Sequence, residues 1–224
     1  MELSKNIYTL IRNALSLNKA SLIKEDDDYL LIDDKTASIF YIVVKRYRDN
    51  LIDFIDESIK YEPTISVISE EKLNLSFAKN FKCFRETYQY SYTGKKFDID
   101  LPYEIKELTM DDYGYLSTHY YRNGDDEAYL KACIKRGMLK AADNGKIIGF
   151  VGEHPEYALG LLYVDENYRR KGIGKALEKA MINKVLEEKR VPIEHVVITN
   201  ENSKKLQASI PDMEMDEGYV YWYF

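Results

Sequence analysis

Arg169-Arg170-Lys171-Gly172-Ile173-Gly174 places three cations and two glycines in six residues. The stretch follows the apolar run Leu161-Leu162-Tyr163-Val164 and opens a long amphipathic segment, Lys175 to Lys189. Strand, glycine-bearing turn and helix is a layout that turns backbone N–H groups into a phosphate cradle. The first N–H groups of a helix have no partner within it, and the helix dipole places partial positive charge there. Glycine lets an anion approach the backbone with no side chain in the way. Spacing narrows the choice. A Walker loop needs Gly-x4-Gly-Lys followed by Ser or Thr, and none follows here. A dinucleotide fingerprint needs a third glycine, where this chain has Lys175, Ala176 and Leu177. What is left is Arg-x-x-Gly-x-Gly after a strand that ends in Val. The same six residues also describe an ordinary surface turn with a basic helix cap.

The elements that must position this turn are legible around it. In the second half, Glu104 to Leu108 reads as a strand, and Thr109 with Asp112 as a capping box that opens a helix through about Tyr120. Asn123-Gly124 breaks the chain. Asp125 to Arg136 is a second helix with acids first and Lys135-Arg136 last, as the dipole favours, and Gly137 stops it. Met138 to Ala142 and Ile147 to Gly152 are strands around the hairpin turn Asp143-Asn144-Gly145-Lys146. Tyr157 to Val164 is the next strand, followed by the glycine turn and its helix. The buried stripe of that helix is Ile173, Ala176, Leu177, Ala180, Met181 and Val185. Pro192 to Thr199 is a strand, Asn200 caps a short helix, and Val220 to Phe224 closes the chain as a strand. The order is β-α-α-β-β-β-α-β-α-β.

The first half reads as a smaller α/β arrangement. Ile7, Leu10, Ile11, Ala14 and Leu15 share one helical face. Tyr29 to Ile32 and Ser38 to Val44 are strands. Leu51, Phe54, Ile55 and Ile59 mark a helix that Pro63 ends, and Thr64 to Ile68 follows as a strand. Glu70 to Asn80 is expected to be a short helix, and Phe81 to Tyr92 alternates as a half-exposed strand does. No catalytic constellation lies here. The polar, glycine-bearing stretch Thr93 to Asp98 suggests a boundary, which gives an N-terminal domain over 1–100 and a second domain over 101–224.

Composition bounds the function. The chain has 224 residues, 45% hydrophobic and 31% charged, with a net charge of −6. That balance speaks against a general nucleic-acid or anionic-membrane binder. Two cysteines, Cys83 and Cys133, make no disulfide framework and read as reduced thiols. No apolar run approaches the ~20 residues of a membrane span, and Met1 to Lys5 lacks a signal-peptide core. The expectation is a cytoplasmic protein that needs no metal.

Arg-x-x-Gly-x-Gly after a strand ending in Val, in this order of elements, resembles motif A of the GNAT superfamily of N-acetyltransferases. The resemblance covers about residues 104 to 224. It implies an α/β (α+β) GNAT fold, a mixed, mostly antiparallel central sheet flanked by helices. It implies acetyl-CoA as co-substrate, with the pantetheine arm along the backbone of Leu162, Tyr163 and Val164. The pyrophosphate would lie on N–H groups from Arg170, Lys171, Gly172, Ile173, Gly174 and Lys175, with Arg169 contributing charge. The later motif, Asn-x-x-Ser followed by Leu, matches Asn200, Ser203 and Leu206, so Asn200 is both helix cap and CoA neighbour in this reading, with cap alone as the alternative. Glu166 replaces the usual proline after Val164. Gln207 stands where many members carry a tyrosine that protonates the leaving thiolate, and the usual Gly-Phe after that helix is absent. Gly149 to His154, Leu161 to Val164, Asn200 to Gln207 and Val220 to Tyr223 look similar to the glycine N-acyltransferase-like branch, whose members often carry a degenerate GNAT-like half in front. Residues 1–100 could be such a half. They contain no Arg-x-x-Gly-x-Gly and are expected to bind no CoA.

The implied reaction moves an acetyl group from acetyl-CoA to the amine of a small molecule or amino acid, with no nucleic-acid or membrane partner. A lysine-like amine with pKa ~10.4 is neutral about once in a few thousand molecules at pH 7, so a base matters. The candidates are His154, by its unperturbed pKa, then Glu153 and Glu156. His154 can also be read as a turn histidine that packs or caps. His119 reads as a surface or capping residue and His195 as structural. With Gln207 unable to ionise, water or a C-terminal tyrosine such as Tyr219 or Tyr221 would protonate the thiolate. The other readings are a non-catalytic CoA-binding or regulatory module, and an interaction protein whose turn holds another anion.

Overall fold

A computed structural model describes residues 3–58, 64–120 and 127–224. Ile59, Pro63, Asn123, Gly124 and Asp125 therefore lie outside the described residues. The chain divides into two compact units. The first comprises Met1–Ser91, His195–Gln207 and Met213–Phe224, and the second Tyr92–Glu194 and Ala208–Asp212. The C-terminal strand thus belongs with the first unit.

In the first unit, helix α1 (Thr9–Ser16) precedes strands β1 (Ala20–Glu25), β2 (Tyr29–Asp34) and β3 (Ile39–Val44). Helix α2 (Leu51–Ser58) leads to β4 (Thr64–Ser69), and β5 (Phe84–Tyr92) ends the segment. β3 and β4 pair in parallel across α2, while β2 pairs antiparallel with β1 and β3. The C-terminal strand β12 (Tyr219–Tyr223) inserts antiparallel between β4 and β5. Tyr221 and Tyr223 join the apolar core beneath α2, with Ile42, Leu51, Ile55 and Val67.

Within residues 3–92, two elements differ from expectation. Residues 70–80 form no helix. Their backbone donors are taken by distant side chains: Leu73 N–H donates to the Tyr221 hydroxyl (2.7 Å) and Asn80 N–H to Asp56 (2.9 Å). Leu73, Ala78 and Phe81 are pulled into the same core. Tertiary burial overrides local propensity here. Strand β1 has no counterpart in the sequence reading. It is an edge strand whose residues are almost all exposed, so no apolar alternation marks it.

The second unit contains β6 (Glu104–Glu107), α3 (Tyr113–His119), α4 (Glu127–Gly137), β7 (Leu139–Asp143), β8 (Lys146–Glu153), β9 (Ala158–Val164) and α5 (Ile173–Glu187). Strands β6 to β9 form an antiparallel meander. β10 (Ile193–Val197) begins in this unit, where Ile193 and Glu194 pair in parallel with Ala158 and Leu159. The β7–β8 turn has Asn144 and Gly145 at φ +48° and +82°, as a two-residue primed hairpin turn requires. The Thr109–Asp112 capping box is present. The predicted stripe of α5, from Ile173 to Val185, is buried, and α5 packs on β7, β8 and β9. Leu116, Leu130, Cys133 and Ile134 of α3 and α4 form a core with Phe150 and Leu161. The result is a mixed α/β fold with a mostly antiparallel open sheet flanked by helices. α6 (Glu201–Ala208) and β11 (Met213–Met215) complete the elements.

Both cysteines are free. Among the described residues no helix is long and apolar enough to cross a membrane, and no group of His, Cys, Asp or Glu could hold a metal ion.

Candidate functional site

The C-terminal half of β9 departs from a regular ladder. Phe150 pairs with Tyr163 and Gly152 with Gly160, so two steps on β8 match three on β9. The extra residue makes a β-bulge, and Leu161 within it has φ +50°. That left-handed geometry costs an ordinary side chain about 1 kcal/mol. Burial offsets it, since the Leu161 side chain is 2% exposed in the α3–α4 core.

Beyond the bulge the backbone direction follows from one hydrogen bond. Asp165 N–H donates to the Ile148 carbonyl (2.9 Å). In an antiparallel ladder successive residues face alternately toward and away from the partner. The N–H and C=O of Val164, and those of Leu162, therefore point away from β8. The Val164 carbonyl is taken by Arg169 Nε (3.1 Å), which ties the turn back to the strand.

The glycine turn forms as its composition requires. Arg170 has φ +63° and Gly172, the N-cap of α5, has φ +80°. Gly172 offers no capping side chain, and the first intrahelical bond runs from Ala176 N–H to the Gly172 carbonyl (3.0 Å). The N–H groups of Ile173, Gly174 and Lys175 therefore have no acceptor within the helix. A Cβ on Gly172 would meet nothing within 4 Å, and one on Gly174 would meet Val164 at 3.6 Å. The cradle is open at Gly172 and seated on the end of β9 at Gly174. Arg169, Arg170 and Lys171 are exposed. Lys171 Nζ stands 4.7 Å over the Tyr168 ring, and Lys175 Nζ donates to the Ser209 carbonyl. An anion with extended negative charge fits this arrangement of oriented N–H groups and cations.

Asn200 and Ser203 fall in the first unit, at the start of α6. Asn200 Oδ1 accepts from Ser203 N–H (3.1 Å), the bond of an N-cap. Gln207 on the same helix is 0% exposed.

The candidate bases have unlike surroundings. Glu153 ends β8, and its two carboxylate oxygens accept from Arg190 Nη1 and Nη2, each at 2.8 Å. Burial pushes the Glu153 carboxyl up, and the Arg190 guanidinium pulls it back. Arg190 also reaches Glu188 and stacks over Tyr157 at 5.2 Å. His154 follows in the β8–β9 turn. Its N–H donates to the Ala158 carbonyl (2.8 Å), and its carbonyl accepts from Tyr157 N–H (2.9 Å). Its Nδ1 is hydrogen-bonded to the Tyr129 hydroxyl.

The other histidines stand elsewhere. His119 is exposed on α3 and stacks on Tyr115 with ring centroids 3.9 Å apart. His195 Nε2 lies 3.1 Å from Gln89 Oε1, and burial lowers its pKa to about 3. Tyr221 is pushed up to about 12 by burial. Its hydroxyl is already bonded to the Leu73 backbone, so it holds its proton in a core and not at a reacting group. Tyr129, on α4, carried no signal in the sequence, since one of 20 tyrosines on a helix face does not stand out.

With this geometry in place, comparisons with known proteins point one way. Residues 102–207 match the model of the acetyltransferase (GNAT) family. No curated protein matches the chain. Among solved structures, a Drosophila protein is similar with TM-score 0.66 and 15% identity, over 98% of this chain and 90% of its own. A protein from Novosphingobium aromaticivorans described as a GNAT-family acetyltransferase is similar with TM-score 0.59 and 12% identity, over 99% and 96%. A GCN5-related N-acetyltransferase-like protein from Streptococcus suis gives TM-score 0.55 and 15% identity, over 96% and 92%. At these identities the structures establish a shared fold. The likeness to the acetyltransferase (GNAT) family model is confined to residues 102–207.

Proposed function

We propose that this protein is an acyl-CoA-dependent N-acyltransferase that moves an acetyl group from acetyl-CoA to the amine of a small molecule or amino acid. The observation that carries the reading is the pairing of a bulged β9, whose terminal backbone faces away from β8, with an α5 N-terminus opened by Gly172. In this reading residues 101–224 hold the donor site and residues 1–100 are a degenerate GNAT-like domain that binds no CoA. The glycine N-acyltransferase-like branch is the subgroup we favour, and the cytoplasm the compartment.

Acetyl-CoA, when bound, supplies an acetyl thioester with a good leaving group. The chain must bind it, orient it and manage one proton. The N–H groups of Gly172 to Lys175 and the charge of Arg169, Arg170 and Lys171 hold the pyrophosphate. The backbone of Leu162, Tyr163 and Val164 aligns the pantetheine arm, and Val164 N–H is the donor toward the thioester carbonyl. His154 is the preferred base, because the Glu153 carboxylate is engaged on both oxygens by Arg190.

A thermal-shift titration with acetyl-CoA, followed by thiol release against a panel of small amines and amino acids, tests the reading. Stabilisation by acetyl-CoA and amine-dependent thiol release are expected. No stabilisation at millimolar acetyl-CoA would refute it. The buried Gln207, which has no ionisable proton, favours a second reading, a CoA-binding regulatory module. That reading predicts stabilisation without thiol release.

A further inference from the structure

One imidazole in the second unit is held from two sides. The Tyr129 hydroxyl, on α4, bonds to His154 Nδ1. On β9, Gly160 lies beneath the other edge of the ring. A Cβ built on Gly160 would stand 2.3 Å from His154 Nε2 and 2.6 Å from Cδ2. No side chain larger than hydrogen fits there with the ring in place. Gly160 is also the residue directly before the bulge at Leu161.

A neutral imidazole carries its proton on one nitrogen, and the partner of the other nitrogen decides which. For Nε2 to accept a proton, the hydrogen must sit on Nδ1. We propose that Tyr129 is the positioning residue that sets this tautomer, its hydroxyl oxygen accepting the Nδ1–H, and that Gly160 provides the space in which Nε2 lies against β9. The proposal rests on the reading of His154 as the base and assigns it a mechanism. The amine nitrogen bonds to the acyl carbon, the thiolate leaves with the electron pair of the C–S bond, and the proton shed by the nitrogen reaches His154 Nε2 through water. The Tyr129 oxygen then faces the Nδ1–H of a charged ring and stabilises it.

The chain has three histidines, so the His154 ring signals are assigned by comparison with His154→Gln. Ring 15N shifts should show the Nδ1–H tautomer in the unsubstituted protein. Tyr129→Phe should remove that preference. It should lower kcat for amine-dependent thiol release about tenfold or more, move the acid limb of the pH–rate profile, and leave the KM for acetyl-CoA unchanged. Gly160→Ala displaces only the tip of a side chain, so it should keep the fold and show the same loss of tautomer preference. An Nε2–H ring in the unsubstituted protein would overturn the proposal, as would a Tyr129→Phe protein with unchanged tautomer and kcat. If acetyl-CoA does not bind, the acyltransferase reading fails, and the ring tautomer in the two variants still decides whether Tyr129 and Gly160 position His154.

Discussion

Glu153 and Arg190 form a bidentate pair at 2.8 Å with side chains only 1% and 3% exposed, one residue before the imidazole that we assign to proton transfer. The pair anchors the end of β8 to the segment after α5. Tyr157, stacked on Arg190 and lying 5.6 Å from Arg136, extends the anchor across the β8–β9 turn.

Removing one partner of this pair strands a buried charge. Arg190→Met should destabilise the protein by about 3–5 kcal/mol, whereas Glu153→Met combined with Arg190→Met should recover much of that loss. Urea unfolding of the single and double variants measures both. A cost below about 1 kcal/mol for Arg190→Met would mean that the pair is solvated.

Gly172 combines strain with binding. At φ +80°, Gly172→Ala should cost about 1 kcal/mol, and because its Cβ would stand in the open cradle it should also weaken acetyl-CoA binding. Gly172→Glu carries the same strain and adds a carboxylate at the phosphate cradle. It should lose the acetyl-CoA thermal shift while remaining folded by circular dichroism.

His195 makes stability pH-dependent. Its pKa is lowered from 6.5 to about 3 because burial disfavours the charged ring. The unfolded chain takes up a proton near pH 6.5 that the folded chain refuses. Its contribution is therefore complete above that pH and is lost as the pH falls toward 3, at about 1.4 kcal/mol per pH unit. Urea midpoints from pH 7 to 4 should fall more steeply for the unsubstituted protein than for His195→Gln. Parallel curves would show that the ring is solvated.

Tyr221 tests the fate of the leaving group. Its hydroxyl accepts from Leu73 N–H at 2.7 Å within a core. Tyr221→Phe should cost about 1–2 kcal/mol through the lost bond and leave the basic limb of the pH–rate profile unmoved. A shifted limb would place Tyr221 at the thiolate.

Much of the candidate site could be read from local sequence. Apolar period, Asn144-Gly145, the Thr109–Asp112 box and the Arg169–Gly174 turn are contiguous signals, and local backbone physics suffices to interpret them. The order of elements around the turn then followed, and with it the fold class. Residues 70–80 read as a helix on the same grounds, and there the local signal misled, because Tyr221 and Asp56 supply hydrogen bonds from far along the chain. The exposed edge strand β1 left no apolar pattern at all.

The sequence by itself determined where strands and helices run in the second half and which backbone turn stands open to an anion, since both depend on neighbouring residues. Tertiary structure alone decided that Glu153 meets Arg190, 37 positions away, that Tyr129 meets His154, and that β12 joins the first unit between β4 and β5. Those outcomes depend on which distant side chains share one buried volume, and no spacing along the chain encodes that.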